Sequence, residues 1–380
     1  GPVHTDWTFQ GNAGDYTMRR LQILTRNGPS PDGLLLDIIE PAPCQVVQRQ
    51  PGNLGTVTVA GRMPEVVPSI EARAVPVGGG SATGWQLVSA EPSGTSFSGS
   101  ITVPAGWWNI EVRVVDGDEV LGVNQVERVG VGEIFVIAGQ SNSANHGLPP
   151  LVPTDPRVCA FNGVGWQTGA DPQPLATGNG GSPWPPFGDE LASRWDVPIA
   201  IASVGVGGTA VDQWRPASVD NLYERLRSVV RVLGVNGFRA ILWHQGESDA
   251  ARNTSAQAYA DQLQEVIDAS RSDAGWDVPW GIARVGFLPN LSPGEIAAII
   301  DGQNLTIERD PLVFGGPETD DLTGNQWRHD AVHFNEAGLR EHGRRWADAV
   351  MLPPCQGVGN DEGCDEPDPD PNDAGTQDVG

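Results

Sequence analysis

Lysine is absent from this 380-residue chain, so all 23 basic residues are arginines. Together with 48 acidic residues, they give a formal net charge of -25 at pH 7. A surface this acidic repels polyanions over long range, which excludes both nucleic acid and anionic lipid as partners. Long hydrophobic runs are missing too. No segment approaches the roughly 20 apolar residues that span a bilayer, so we expect no membrane insertion.

Cysteine is scarce, with only Cys44, Cys159, Cys355 and Cys364. None of them has the spacing of a metal-binding motif, so no metal site is expected. We expect a local disulfide between Cys355 and Cys364 and a second bridge from Cys44 to Cys159, with four free thiols as the alternative. Such bridges indicate an extracellular or periplasmic protein. The chain starts without Met or an apolar signal segment, which suggests a processed terminus or one left by tag cleavage.

Residues 1–130 have the pattern of β structure. Thr56–Val59 alternates between polar and apolar residues, and Ile110, Val112 and Val114 occupy one face of another predicted strand. Glycine and proline interrupt the remainder at short intervals. This pattern predicts a small β-sandwich-like accessory domain without a cluster of catalytic side chains.

From residue 131 the pattern changes to short apolar runs that alternate with amphipathic helices. Five such runs predict buried strands, at residues 133–139, 197–204, 240–243, 280–285 and 312–314. Strands joined by helical crossovers form a parallel sheet covered on both faces, so residues 131–355 are predicted to be an α/β domain. Residues 356–380 are rich in Asp and Pro and have nothing to bury, which predicts a disordered acidic tail.

Ser141 is the first candidate catalytic residue. The apolar run Ile134–Ala138 ends at Gly139, and Ser141 follows on a predicted tight turn. The carboxyl edge of a buried strand is where open α/β sheets place their chemistry. A helix-capping serine after a core strand is the alternative.

Asp330 and His333 are the candidate partners of a nucleophilic serine. They lie three residues apart in the sequence HDAVHFN, just before a predicted helix that begins at Asn335. This spacing lets the carboxylate contact one imidazole nitrogen while the other nitrogen faces Ser141. His329 directly precedes Asp330 and is less able to share its carboxylate. A surface Asp and His beside a helix cap is the alternative.

Two further segments follow predicted strands. The glycine-rich loop Gly205–Trp214 can direct a backbone N–H into a site because no Cβ obstructs close approach. In the next segment, Trp243–Asp249, Gln245 offers a neutral amide N–H that could stabilise developing negative charge. Glu247 is a possible second carboxylate near the histidine, while His244 fits a structural role.

The combination of motifs resembles the SGNH hydrolase superfamily. Within it, the chain is similar to the branch of sialate O-acetylesterases and carbohydrate acetylesterases. This branch resembles carbohydrate esterase family 6. In that branch GQSN, GGT, QGES and DxxH occur in this order. Here they are Gly139–Asn142, Gly207–Thr209, Gln245–Ser248 and Asp330–His333. The resemblance implies a flavodoxin-like five-stranded parallel sheet preceded by the β-sandwich domain.

The resemblance also implies a role for each matched residue. Ser141 would be the nucleophile, His333 the general base and then acid, and Asp330 the residue that orients His333, with Glu247 as its rival. The backbone N–H of Ser141 and of Gly208, or of its neighbour Gly207, and the side chain of Gln245 would hold the oxyanion. Trp214 and Arg215 could border the substrate or serve only in packing.

These observations predict a secreted serine esterase that removes O-acetyl groups from carbohydrates, either an acetylated polysaccharide or sialic acid. The reaction needs no metal or cofactor. The acidic surface favours a neutral polymer such as xylan, whereas the family resemblance favours sialic acid. The alternative is a glycan-binding surface protein with an inert hydrolase domain. The sequence leaves the oligomeric state open.

Overall fold

The computed structural model describes residues 36–90, 92 and 94–350. These residues form a mixed α/β fold with one large, multi-stranded sheet. The predictions for residues 1–35, for the acidic tail and for the Cys355–Cys364 disulfide lie outside the described residues.

The strands divide between the first third of the chain and the remainder. The first eight are β1 (Asp37–Glu40), β2 (Val46–Gln48), β3 (Leu54–Arg62), β4 (Ser69–Pro76), β5 (Gln86–Ala90), β6 (Ser96–Pro104), β7 (Gly106–Asp116) and β8 (Glu119–Gly139). The later ones are β9 (Val158–Phe161), β10 (Trp166–Thr168), β11 (Ile199–Ser203), β12 (Ala240–His244), β13 (Trp280–Arg284) and β14 (Val313–Glu318).

All helices of the described residues follow β8. The α-helices are α1 (Trp184–Trp195), α2 (Tyr223–Leu233), α3 (Glu247–Ala251), α4 (Ala256–Ala274), α5 (Pro293–Arg309) and α6 (Glu336–Val350). Short 3₁₀ helices span Ser141–Ser143 and Val211–Trp214. Within residues 36–350, no helix combines the length and the apolar character needed to cross a membrane.

The large sheet has the strand order β10-β9-β11-β8-β12-β13-β14. Every neighbouring pair from β9 to β14 in this order is parallel, and β10 is antiparallel to β9. The carboxyl ends of β8, β11 and β12 therefore lie at one edge of the sheet. The loops that follow these three strands carry most of the predicted site residues.

Alternation along β8 explains why the sheet is covered on both faces. Ile134, Val136 and Ala138 pack against buried residues of α2, α4 and α5. Phe135 and Ile137 face the opposite way, against α1 and α6. Because successive side chains of a strand point to opposite faces, an uninterrupted apolar run is buried on both sides, as the sequence predicted.

Strands β1 to β7 and the first half of β8 enclose a separate apolar core. β1, β3 and β6 form a three-stranded antiparallel sheet, while β4 pairs with β5 and β7, and β7 pairs with β8. Val57 and Ile101 from the first group share one core with Ile70 and Val112 from the second. The two groups of strands thus bury their apolar faces together.

β8 connects the two halves of the chain without a break. Its first part pairs with β7, its middle pairs with β2 at residues 130–132, and its last part lies between β11 and β12. The predicted domain boundary at residues 130/131 therefore falls within one continuous strand.

The five predicted strands are all present, but the parallel sheet contains a sixth. β9 (Val158–Phe161) pairs in parallel with β11 and is buried throughout. Its four residues stand between segments rich in proline and glycine, and so short a run gives little periodic signal. The prediction of a five-stranded sheet was therefore one strand short.

The predicted bridge between Cys44 and Cys159 is absent from the structure, where both residues are buried free thiols. They belong to the same apolar cluster. The prediction correctly placed the two cysteines together but was wrong about the covalent bond.

Candidate active site

Ser141 follows β8 on a sharp turn, and β8 ends at Gly139, a position that favours glycine. Gly139 has φ +128, and a Cβ on it would overlap the backbone oxygen of His244 in the adjacent strand β12. The chain then turns through the 3₁₀ helix that begins at Ser141, and Ser143 Oγ donates to the backbone oxygen of Gln140 at 2.8 Å. The close approach of β8 and β12 therefore fixes the position of the serine.

We expect Gly139→Ala to lower the free energy of unfolding by roughly 2–4 kcal/mol, because it adds overpacking to a backbone conformation that L-residues rarely adopt. Gly52 is a matched control, since it has φ +81 but open space around a built Cβ. Gly52→Ala should cost only about 1–2 kcal/mol. Denaturant unfolding measures both variants. Equal losses would show that contact with His244 does not constrain the turn.

Asp330 and His333 contact each other in the loop before α6. Asp330 Oδ2 lies 2.7 Å from His333 Nδ1. Its Oδ1 accepts hydrogen bonds from the backbone N–H groups of Val332, at 2.9 Å, and His333, at 2.6 Å. Ala331 between them has φ +70, an uncommon conformation for a residue with a Cβ. The carboxylate thus holds both the loop and the imidazole ring.

The same contacts keep Asp330 ionised. Partial burial by itself would raise the pKa of this carboxyl, but hydrogen bonds from the backbone and ring of His333 and from the backbone of Val332 outweigh it. The pKa therefore lies well below its ordinary value. An ionised Asp330 accepts the Nδ1 proton of His333, which leaves Nε2 as the proton-accepting nitrogen.

Asn142 links the turn at Ser141–Ser143, named the nucleophile turn after the predicted role of Ser141, to the loop of Asp330 and His333, named the histidine loop. Its Nδ2 donates to Glu247 Oε1 at 2.9 Å and lies 3.5 Å from the backbone oxygen of Val332. Asn142 directly follows Ser141, and Val332 directly precedes His333. One amide group therefore connects the neighbours of the predicted nucleophile and base.

Glu247, the predicted rival of Asp330, contacts residues other than His333. It is fully buried, and its Oε1 lies 3.6 Å from His244 Nε2 as well as close to Asn142. Burial would raise the pKa of this carboxyl, but the His244 ring and the Asn142 amide outweigh that effect and lower it. Glu247 thus contacts Asn142, the residue after Ser141, while Asp330 is the carboxylate that contacts His333.

The glycine-rich loop lies against the nucleophile turn. Val206 N donates to the backbone oxygen of Gly139 at 2.9 Å, which joins the loop after β11 to the end of β8. Gly208 has φ +72, with open space where a Cβ would stand. Among the described residues, the backbone N–H groups of Ser141 and Gly208 have no hydrogen-bond acceptor, whereas Gly207 N donates to Thr177 Oγ1. These contacts favour Gly208 over Gly207 as an oxyanion donor.

Gln245 does not have the free amide that the prediction required. Its Nε2 lies 2.6 Å from Asp249 Oδ2 and 3.1 Å from the backbone oxygen of Thr209. It also lies 3.2 Å from Gln140 Oε1. An amide has only two protons, so an oxyanion would have to compete with acceptors already in place. In this structure Gln245 instead braces the residues around Ser141.

Trp214 and Arg215 both contact other residues of the protein. Trp214 is completely buried, and its Nε1 donates to Thr209 Oγ1 at 3.0 Å. Arg215 forms a bidentate ion pair with Glu265 of α4 at the surface, at 2.8 and 2.9 Å. Trp214 therefore has the packing role that the sequence analysis gave as its alternative, because its ring is part of the apolar core.

Arg328 is a buried cation that the sequence analysis missed. Its guanidinium donates to the backbone oxygens of Leu322, Thr319 and Val332, the last directly before His333. It also lies 4.2 Å above the ring of Phe334, which follows His333. Arg328 therefore holds the histidine loop from below. Arg328 lies outside every recognised motif, so the sequence did not indicate this role.

We expect Arg328→Lys to lower the free energy of unfolding by about 2–3 kcal/mol, because lysine cannot reproduce the planar donor set and leaves buried carbonyl oxygens unpaired. Arg344→Lys on the exposed side of α6 is the control. Among residues 36–350, Arg344 pairs only with Glu341 and Asp348 at the surface, so the loss of unfolding free energy should stay within about 0.5 kcal/mol. Chemical denaturation of both variants gives the difference, and similar losses would contradict a structural role for Arg328.

His146 was also missed, and it lies between the histidine loop and the glycine-rich loop. Its ring stacks on His333 with centroids 5.4 Å apart, and its Nε2 lies 3.5 Å from Thr177 Oγ1. A Cβ on Gly207 would come within 2.6 Å of that Nε2. Burial and the neighbouring His333 ring lower the pKa of His146, which favours its uncharged form.

The chain is similar to known proteins. A family model described as carbohydrate esterase, sialic acid-specific acetylesterase, matches residues 131–352. A relative from Arabidopsis thaliana, "Probable carbohydrate esterase At4g34215", is 26% identical over 167 residues. That alignment covers 37% of this chain and 64% of the relative, which is less than two thirds of its length.

A solved structure shares the fold. It is the carbohydrate acetylesterase XAC1771 from Xanthomonas citri, with a TM-score of 0.53 and 20% identity over 84% of this chain and 75% of the other. The family match includes Ser141, Asp330 and His333, and it covers more than half of the chain. The family resemblance seen in the motifs is confirmed: the chain belongs to the carbohydrate esterase, sialic acid-specific acetylesterase family, a family of carboxylic ester hydrolases.

Proposed function

We propose that the protein is a secreted serine esterase that removes O-acetyl groups from carbohydrates through a Ser141, His333 and Asp330 triad. The observation that carries this proposal is the 2.7 Å contact between Asp330 Oδ2 and His333 Nδ1, in a loop that Asn142 connects to the nucleophile turn. The family match supports the reaction class.

The mechanism begins with proton transfer. His333 Nε2 takes the proton of Ser141 Oγ while the oxygen attacks the carbonyl carbon of the acetyl ester. The backbone N–H groups of Ser141 and Gly208 stabilise the resulting oxyanion. Collapse of the tetrahedral intermediate releases the sugar alkoxide, which takes the proton from His333, and leaves acetyl-Ser141. Water, deprotonated by His333, then attacks the acetyl-enzyme. The second tetrahedral intermediate collapses to acetate, and His333 returns the proton to Ser141 Oγ.

Asp330 stabilises the charge that forms during each step. His333 becomes an imidazolium when it accepts the serine proton, and the ionised carboxylate next to Nδ1 favours that cation. The stacked ring of His146 is uncharged near neutral pH, so it does not repel the imidazolium. The surroundings of His333 therefore suit a base that becomes charged in the transition state.

We also propose that residues 131–350 adopt the flavodoxin-like SGNH architecture and that residues 36–130 act as a β-sandwich-like accessory domain. Support for the second part comes from the two groups of strands that share one core. An extracellular or periplasmic location is likewise proposed. With Cys44 and Cys159 free, it rests on the pairing expected for Cys355 and Cys364.

Acetate release from a small substrate panel tests the function. The panel contains acetylated xylan, O-acetylated sialic acid and p-nitrophenyl acetate. Release from either carbohydrate supports the proposal, and the preferred substrate decides between a neutral polysaccharide and sialic acid. The absence of acetate from all three substrates, with a folded protein, would contradict an esterase and favour a glycan-binding protein.

A further inference from the structure

The histidine loop contains a group of side chains suited to a transition-metal ion. His329, Asp330 and His333 each offer one ligand atom, and these atoms lie within 4.8 Å of one another. His329 and Asp330 are exposed and His333 is partly exposed, so an ion can reach them from solvent. Two imidazoles and one carboxylate are a common ligand set for Zn²⁺, with water in the fourth position. We call these residues the His329–Asp330–His333 cluster.

One ring nitrogen of His329 is already held by a hydrogen bond. Its Nε2 lies 3.1 Å from the backbone oxygen of His146. A carbonyl oxygen only accepts hydrogen bonds, so Nε2 carries the proton and Nδ1 keeps its lone pair. Histidines that bind metals almost always donate their second ring N–H in this way. No step of the proposed hydrolysis uses His329, so this orientation has no role in that reaction.

Backbone contacts hold the three residues together. His329 N donates to the backbone oxygen of His333 at 2.9 Å. The Asp330 carboxylate is fixed by the N–H groups of Val332 and His333. Zn²⁺ bonds of about 2.0–2.2 Å in a tetrahedron place neighbouring ligand atoms about 3.4 Å apart. Binding therefore needs shifts of about an ångström, in which the more distant ligand atoms move closer and the 2.7 Å contact between Asp330 and His333 opens. Rotation about side-chain bonds provides shifts of this size.

We propose that the His329–Asp330–His333 cluster binds one Zn²⁺ ion and that bound zinc stops ester hydrolysis. The inhibitory part rests on the proposed function. If zinc takes His333 Nδ1, it displaces the proton shared with Asp330 and releases it to solvent. If it takes Nε2, it occupies the lone pair that would accept the Ser141 proton. Either bond removes the general base.

The identity of the ion follows from the ligands. Imidazole nitrogens suit Zn²⁺ and its neighbours in the first transition series, whereas Ca²⁺ and Mg²⁺ prefer oxygen. The net charge of -25 raises the local concentration of any divalent cation, so a cation control separates coordination from general electrostatics.

The test combines calorimetry with acetate release in the full chain. Titration with Zn²⁺ should show one binding event whose midpoint matches the loss of activity, and a chelator should restore the activity. Ca²⁺ at the same concentration should have no effect. Co²⁺ bound at this site should give a visible d–d band without the thiolate band that a cysteine site would add.

The decisive variant is His329→Gln, whose amide can still donate to the His146 carbonyl but has no imidazole ligand. Its basal activity should be unchanged, and both zinc affinity and inhibition should weaken by about 10- to 100-fold. Glu336→Gln is the control, because it removes an exposed negative charge near the loop but no ligand of the cluster. It should behave like the wild type.

Zinc affinity that is equal in wild type and His329→Gln would overturn the proposal, as would inhibition without a matching binding event. Calorimetry needs no substrate, so it separates the two proposals. If the chain hydrolyses no ester but His329→Gln still loses zinc, the proposed function fails and the metal site stands. If the chain is an active esterase but binds no zinc here, only the metal site fails.

Discussion

Replacement of Ser141 with alanine should lower kcat for acetyl ester hydrolysis on the order of 10⁶-fold, as removal of the nucleophile does in other serine triads. Without Oγ there is no acetyl-enzyme, and His333 has no serine proton to accept. Acetate release at saturating substrate measures the loss. Because the hydroxyl of Ser141 makes no hydrogen bond within the described residues, the unfolding midpoint should hardly change.

Ser143 supplies a matched control in the same turn. Its Oγ donates to the backbone oxygen of Gln140 and has no place in the reaction. Ser143→Ala should cost about one hydrogen bond and lower activity by no more than about 10-fold. Activity of Ser141→Ala near that of the wild type would contradict the nucleophile, and an equal loss in both variants would point to a general defect of the turn.

Asp330→Asn should lower kcat by about 10⁴-fold while the fold persists. The variant amide offers an N–H where the carboxylate accepted the Nδ1 proton, so it favours the wrong tautomer of His333 and no longer stabilises the imidazolium. The corresponding acid-to-amide substitution at Glu247 shows which of the two carboxylates, Asp330 or Glu247, is the partner of His333. Glu247→Gln keeps a group that can accept from Asn142, so we expect a loss of less than about 10²-fold.

Kinetics with one carbohydrate substrate compare these two variants. A larger loss in Glu247→Gln than in Asp330→Asn would show that Glu247, and not Asp330, is the partner of His333. Since Glu247 is buried beside His244, its variant should also unfold at lower denaturant concentration, which provides a check that is independent of activity.

Much of this architecture could be predicted because apolar runs and glycine have direct structural meaning. The run Ile134–Ala138 is buried on both faces as a central parallel strand, and Gly139 provides a turn that excludes any Cβ. The spacing of Asp330 and His333 predicted their contact. These features depend on local sequence, so the sequence contained the information.

The contacts of three other residues depend on packing that the sequence does not show. Gln245 follows a strand as predicted, but Asp249 and Thr209 occupy its amide protons. Trp214 is the last residue of the glycine-rich loop, yet its ring turns into the core. Arg328 acts through backbone oxygens brought together only by folding, so no spacing rule could reveal it.

Covalent labelling of Ser141 is the most direct test of the central claim. A reactive alkyl phosphonate ester should form one adduct per chain, located on Ser141 by peptide mass spectrometry, with loss of activity in step with labelling. His333→Ala should label far more slowly because the serine keeps its proton. An adduct on another residue, or full activity after Ser141 is modified, would contradict the account.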